Sequence, residues 1–208
     1  MKMNLPNKLT VLRLCLVPVI IVFGMLPDSI INFYLSNFIC AILFIGTAVT
    51  DMLDGKIARK RGLITDFGKF LDPIADKFMV IGTMFVILYR FPHLRTIMIF
   101  TLMIVVFREL AVTSMRLVVS TGQNIVVAAN YLGKIKTVSQ IVFISTVLLE
   151  PTVQLAVKYA VNLFTEWNFE IGKYIPLSYL SIAFAVFMTV WSGINYIKGY
   201  WKYLDPQK

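Results

Sequence analysis

Six apolar runs, each about 17–25 residues long, follow one another along the chain with short polar breaks, and that length is what a helix needs to cross a bilayer. They are Thr10–Leu26, Ile30–Thr50, Phe67–Leu88, Thr96–Ser120, Leu132–Leu149 and Ile175–Ile197. Backbone polar groups in lipid must be satisfied within the segment, so helices are the simplest spanning form. The alternating apolar and polar strands of a membrane barrel are not seen. Composition agrees: 58% of residues are apolar and only 15% are charged, with a mean hydropathy of +0.78. An ordinary soluble domain carries about 25% charged residues, and a disordered chain is poor in apolar ones. In 208 residues, six spans leave no room for a separate soluble domain. The expectation is one all-α integral membrane domain over 1–208, a six-helix bundle in which the bundle itself does any chemistry. Residues 1–9 are read as a short interfacial segment before the first span. MKMNLPNKLT has neither the composition nor the cleavage site of a signal peptide.

Orientation follows from the cations. Sixteen of the 20 Lys and Arg fall on one side of the six-span arrangement; only Arg90, Arg95, Lys158 and Lys173 fall on the other. Some of the sixteen lie within spans, but the bias survives their removal. Both termini are therefore expected in the cytoplasm, with Pro27–Ser29 and Glu150–Tyr174 outside. Trp167, Tyr174 and Tyr179 suit the outer interface, and Trp201 and Tyr203 the inner one. Cys15 and Cys40 fall in different spans and are expected unpaired; with no Cys/His cluster, no zinc site is implied. His93 reads as a solvated loop residue. The net charge of +9 points to anionic lipid or phosphate rather than nucleic acid.

The chemistry concentrates in Thr50–Lys77, TDMLDGKIARKRGLITDFGKFLDPIADK, which holds five of the 11 acids. Asp51 and Asp54 are three apart and share a helix face; so do Asp72 and Asp76, four apart. Two helices joined by a short loop would turn these carboxylates toward one another. Such a cluster beside lipid is costly unless neutralised. Oxygen-only donors favour Mg²⁺, Mn²⁺ or Ca²⁺, and four carboxylates suffice for a pair of ions clamping a phosphate. Gly55 permits close approach of a ligand, Arg59 offers a bidentate phosphate contact, and Gly68 leaves room for close helix packing. Asp66, out of phase, reads as the N-cap of the third span. The competing reading is a solvated acidic loop paired with its neighbouring cations.

The spacing Asp51-x2-Asp54-Gly55-x2-Ala58-Arg59-x8-Gly68-x3-Asp72-x3-Asp76 resembles the signature of the CDP-alcohol phosphatidyltransferase family at all eight positions. That resemblance implies six transmembrane helices, a site open to the cytoplasm and a homodimer. It implies transfer of a phosphatidyl group from a CDP-linked donor to an alcohol, with release of CMP. It also implies that Asp51, Asp54, Asp72 and Asp76 hold two divalent cations, Mg²⁺ or Mn²⁺, and that Asp76 is the catalytic base. The donor would be lined by Asp51, Asp54, Gly55, Ala58, Arg59 and Gly68, with Arg59 on the diphosphate.

The acceptor is not written in that signature. Arg108 and Glu109 lie inside the fourth span and Arg116 lies two turns on, while Lys134 and Lys136 open the fifth. Intramembrane charges default to a functional role, although pairing with bundle neighbours and snorkelling are the structural alternatives. Together they would suit an acceptor carrying a phosphate. The stretches NLPNKLTVLRLCLVP (4–18), FRELAVTSMR (107–116) and GKIKTVSQ (133–140) resemble bacterial phosphatidylglycerophosphate synthases. That implies CDP-diacylglycerol as donor, sn-glycerol 3-phosphate as acceptor, and a cell-membrane location. The first stretch also resembles cardiolipin synthases, whose acceptor is phosphatidylglycerol. A cation transporter is the rival from another class, but the acids sit at a helix end and no internal repeat is visible.

Overall fold

The computed structural model describes residues 4–61, 65–123, 131–164 and 176–201. Calls on Met1–Met3, Trp167, Lys173, Tyr174, Lys202, Tyr203 and Lys208 lie outside these. Among the described residues there are six long helices: α1 Leu5–Met25, α2 Phe33–Arg61, α3 Asp66–Arg90, α4 Arg95–Gln123, α5 Tyr131–Phe164 and α6 Pro176–Tyr200, with a 3₁₀ turn at Pro92–Leu94. Five contain stretches long and apolar enough to cross a membrane: Pro6–Met25, Phe33–Met52, Pro92–Val119, Tyr131–Ala160 and Leu177–Tyr200. The exception is α3, where Asp66, Lys69, Asp72, Asp76 and Lys77 crowd the first half of the helix.

Three boundaries differ from the sequence reading. Residues 5–9 continue directly into the helix of the first span; Pro6 is in its first turn, where proline's missing N–H costs nothing. The second helix runs on past the apolar run that ends at Thr50, as far as Arg61. Its polar end extends nine residues past the apolar stretch, on the order of 13 Å at 1.5 Å per residue, and carries the first half of the signature. The fifth helix passes through Pro151 to Phe164, so the loop expected from Glu150 is helical through the whole of its first half. Glu150, read as a helix stop, instead caps the start of α6. Its Oε2 accepts from the Ser178 backbone N–H at 2.8 Å and from the Ser178 hydroxyl. A buried carboxylate at a helix N-terminus satisfies otherwise orphaned donors.

The bundle core is apolar, with Phe44, Met84, Ile87, Phe143, Ile144 and Leu148 fully buried. The outer surface is apolar too. Phe100, Phe107, Leu180 and Phe187 are all more than half exposed, as expected where the surrounding solvent is lipid. Several hydroxyls within the bundle return to their own helix: Thr83 donates to Met79 O at 2.8 Å and Thr189 to Ala185 O at 2.7 Å.

α1 is the inner strut. It packs against both α2 and α3, which touch each other little. A Cβ on Gly24 would collide with Val86, the close backbone approach that small residues allow between membrane helices. The expectation that α2 and α3 face each other directly is therefore corrected: α1 stands between them. α5 packs on α6 and α2, and α4 on α6 and α3. At the opposite end of α3, Arg90 donates to Leu26 O at 2.7 Å, pairs with Asp28 at 2.8 Å and lies 5.1 Å from the Phe33 ring centroid, fastening the α1–α2 connection. Cys15 and Cys40 are both free thiols. His93 is exposed, but in the 3₁₀ turn rather than an irregular loop.

Candidate active site

The acidic side of the site is built on three helices. Asp51 lies on α2 and Asp72 and Asp76 on α3; α1 reaches each of the first two with a polar side chain. Arg13 Nη1 pairs with Asp51 Oδ1 at 2.5 Å, and Arg13 itself is 1% exposed. Thr10 donates to Asp72 Oδ1 at 2.6 Å. One turn earlier, the Thr65 hydroxyl donates to Asn7 Oδ1 at 2.9 Å and accepts from the Gly68 backbone N–H at 3.1 Å. Thr65, not Asp66, is therefore the N-cap of α3; its hydroxyl reaches the third helical N–H, while Asp66 falls in the first turn, where a negative charge favours the helix dipole. Gly68 has a steric reason to be glycine: a Cβ would come within 3.0 Å of Asn7 Oδ1 and 3.3 Å of Thr65 Oγ1. Its room is used by α1.

Asp54, Gly55, Ala58 and Arg59 lie on the same continuous helix as Asp51, but the side chains of residues 53–61 are outside the described ones. The donor set around Asp51, Asp72 and Asp76 is carboxylate and hydroxyl oxygen, which is the chemistry of a hard divalent cation. Among the described side chains, however, no three His, Cys, Asp or Glu groups gather closely enough to hold an ion. Asp51 and Asp72 are engaged by Arg13 and Thr10.

The basic side is one cavity of about 590 Å³. Asp76 lines it together with all four basic residues singled out from sequence, Arg108, Arg116, Lys134 and Lys136. Lys77, Glu109, Thr113, Thr137 and Tyr196 complete the polar part of the wall. Five cations thus face two carboxylates, an excess that attracts an anion and is costly in a membrane without one.

These cations are held in different ways. Lys136 is buried and paired with Glu109, which Arg108 also approaches at 3.2 Å. Arg108 Nη2 donates to Ser192 Oγ at 2.7 Å, and Arg116 Nη2 donates to the Tyr196 hydroxyl at 2.6 Å. The Tyr196 ring takes both guanidinium groups, at 5.7 Å from Arg108 and 5.0 Å from Arg116, within range of a cation–π attraction. Lys77 donates to Thr113 at 2.7 Å, and Lys134 is exposed at the rim. Ser192 and Tyr196 stand four apart on one face of α6, matching Arg108 and Arg116 eight apart on α4.

Sequence reasoning missed several of these residues, among them Asn7, Thr10 and Arg13 on α1, and Ser192 and Tyr196 on α6. The first three fall in a stretch whose resemblance was noted without a role. The last two look like any hydroxyl and aromatic in an apolar run.

The family model for CDP-alcohol phosphatidyltransferase matches residues 3–191. A protein of Bacillus subtilis (strain 168) is 39% identical over 97% of this chain and 97% of its own. One from Wigglesworthia glossinidia brevipalpis is 38% identical over 73% of this chain and 80% of its own. One from Yersinia enterocolitica is 30% identical over 99% of this chain and 100% of its own. All three carry the name CDP-diacylglycerol–glycerol-3-phosphate 3-phosphatidyltransferase. With the signature on α2 and α3 and the match running through nearly the whole bundle, the chain belongs to the CDP-alcohol phosphatidyltransferase family.

Proposed function

We propose that this protein transfers the phosphatidyl group of CDP-diacylglycerol to sn-glycerol 3-phosphate, giving phosphatidylglycerophosphate and CMP. The observation that carries the reading is the single cavity in which Asp76, the last signature acid, meets Arg108, Arg116, Lys134 and Lys136. A neutral acceptor gives no reason for that surplus of positive charge; a phosphomonoester does. The names of relatives that align over most of the chain support the same acceptor.

In this reading the acceptor phosphate sits among Arg108, Arg116 and Lys134, with Lys136 adding charge while it holds Glu109. The sn-1 hydroxyl points to Asp76. Asp76 takes its proton as the hydroxyl oxygen bonds to the phosphorus that carries diacylglycerol. The bond from that phosphorus to the bridging oxygen breaks, and CMP departs with the electron pair. Asp51, Asp54, Gly55, Ala58, Arg59 and Gly68 line the donor, Arg59 offsetting diphosphate charge. Arg13 and Thr10 hold Asp51 and Asp72 in place from α1. Two divalent cations, Mg²⁺ or Mn²⁺, would be held by Asp51, Asp54, Asp72 and Asp76, and when bound they supply Lewis-acid neutralisation of the donor diphosphate.

The wider arrangement belongs to the same proposal. All six helices span a bacterial cell membrane, both termini and the site face the cytoplasm, and two chains form a homodimer. The α3 charges that deny it a long apolar stretch are the site itself, at the membrane boundary. The test is purified protein with CDP-diacylglycerol and competing labelled acceptors: glycerol 3-phosphate, phosphatidylglycerol, serine and inositol. CMP release that depends on glycerol 3-phosphate is expected. Preferential labelling of cardiolipin would reassign the acceptor, and absence of CMP release would end the transferase reading.

A further inference from the structure

A second cavity, of about 420 Å³, lies between α4 and α6. Its wall is almost wholly apolar and includes Ile104, Phe107, Ala111, Val190 and Ile194. Phe107 and Ile194 are exposed, so the groove opens on the outer surface of the bundle. Its inner end is not apolar. Arg108 and Val112, one turn apart on α4, line this groove and the basic cavity alike. Facing them on α6 is Gly193, where a Cβ would come within 3.3 Å of Arg108 Cγ, so the lack of a side chain there leaves the Arg108 stem close against the backbone of α6. An apolar slot thus leads from the bilayer to a cation, and past it to the cationic surplus around Arg116.

A water-soluble acceptor has no use for such a slot. An amphiphile with an apolar chain and a phosphomonoester head matches it end to end. We propose that the basic cavity also admits, laterally from the membrane, an acylated glycerol phosphate: the phosphate against Arg108 and Arg116, the chain in the α4–α6 groove. The inference rests on the acceptor reading above. Such a lipid carries its acyl group on the sn-1 oxygen, so it brings no sn-1 hydroxyl to Asp76; it occupies the site without reacting and excludes glycerol 3-phosphate. Lipid chains are as apolar as the groove, so recognition lies in the head. The groove lets the head reach the cavity while the chain stays out of water, and confinement to the membrane raises the effective concentration.

The experiment uses the purified full chain in phosphatidylcholine nanodiscs, with 1-oleoyl lysophosphatidate as probe and 1-oleoyl lysophosphatidylcholine as control. The expected result is competitive inhibition: the apparent KM for glycerol 3-phosphate rises linearly with the mole fraction of lysophosphatidate, ~10-fold when the lipid is at about nine times its inhibition constant, kcat is unchanged, and the phosphocholine lipid has no such effect. Val190→Trp fills the groove from its lipid side and should weaken the inhibition ~10-fold, the scale of overpacking, with an unchanged melting profile and an unchanged KM for glycerol 3-phosphate without lipid. Inhibition that glycerol 3-phosphate does not relieve, equal inhibition by the phosphocholine lipid, or equal inhibition of Val190→Trp would overturn the proposal. Native mass spectrometry of lysophosphatidate bound to the protein, with inorganic phosphate as competitor, separates this failure from that of the acceptor reading. If turnover prefers a phosphate-free acceptor yet inorganic phosphate displaces the lipid, the lipid site stands and the acceptor reading falls. If glycerol 3-phosphate is the acceptor and no lipid is retained, the reverse holds.

Discussion

The two halves of the site are held by opposite means. On the acidic half, α1–α3, two signature carboxylates are met by side chains from α1: Arg13 on Asp51 and Thr10 on Asp72. On the basic half, α4–α6, the cations are woven together. Glu109 joins Arg108 to Lys136, and one tyrosine ring takes both Arg108 and Arg116. The difference fits the roles proposed for the two halves. Carboxylates meant for cations need lone pairs that remain available, so few partners suffice. Guanidinium groups meant for one phosphate must be fixed in mutual geometry before it arrives, so they are braced in advance.

Five substitutions and one chelation test this contrast. Asp76→Asn should lower kcat ~10²–10⁴-fold, the range for a lost general base, with an unchanged helical circular dichroism spectrum; near-normal turnover would remove Asp76 from the role of base. Chelation by EDTA should silence the acidic half in the same assay, and Mg²⁺ or Mn²⁺ should restore it. On the basic half, Glu109→Gln should act chiefly on stability. It leaves buried Lys136 without its counter-charge, at a cost of about 3–5 kcal/mol for breaking a buried pair, read as a fall in melting temperature in detergent. Arg116→Gln should raise the KM for glycerol 3-phosphate ~10- to 100-fold, from about 1.5–3 kcal/mol for a charged hydrogen bond. Tyr196→Phe keeps the ring and removes only the hydroxyl that Arg116 donates to, so its effect on the same KM should stay below ~10-fold, while Tyr196→Leu should exceed it.

How far each half was legible in the sequence follows the same line. Asp51, Asp54, Asp72 and Asp76 stand out because carboxylates are rare in apolar runs and their spacing is local to two helices. The four basic candidates stood out for the same reason, as intramembrane charges, and the structure brings all four to one cavity with Asp76. Their braces were hidden. Tyr196 is eighty positions from Arg116 and sits in a run where aromatics are ordinary, so only the packing of α4 on α6 reveals it. Arg13 was counted as one cation among many until α1 was seen to stand between α2 and α3. Helix ends were the least legible: Thr65 rather than Asp66 caps α3, and Glu150 serves the next helix instead of ending its own. In both cases the deciding partner is a backbone N–H whose position depends on the fold.

The central claim is a division of labour, with α1–α3 serving the donor and the chemistry and α4–α6 gripping the acceptor phosphate. Steady-state kinetics of Arg116→Gln with both substrates varied tests it most directly. The account predicts a raised KM for glycerol 3-phosphate with the KM for CDP-diacylglycerol unchanged. A raised KM for CDP-diacylglycerol with the acceptor KM unmoved would contradict it.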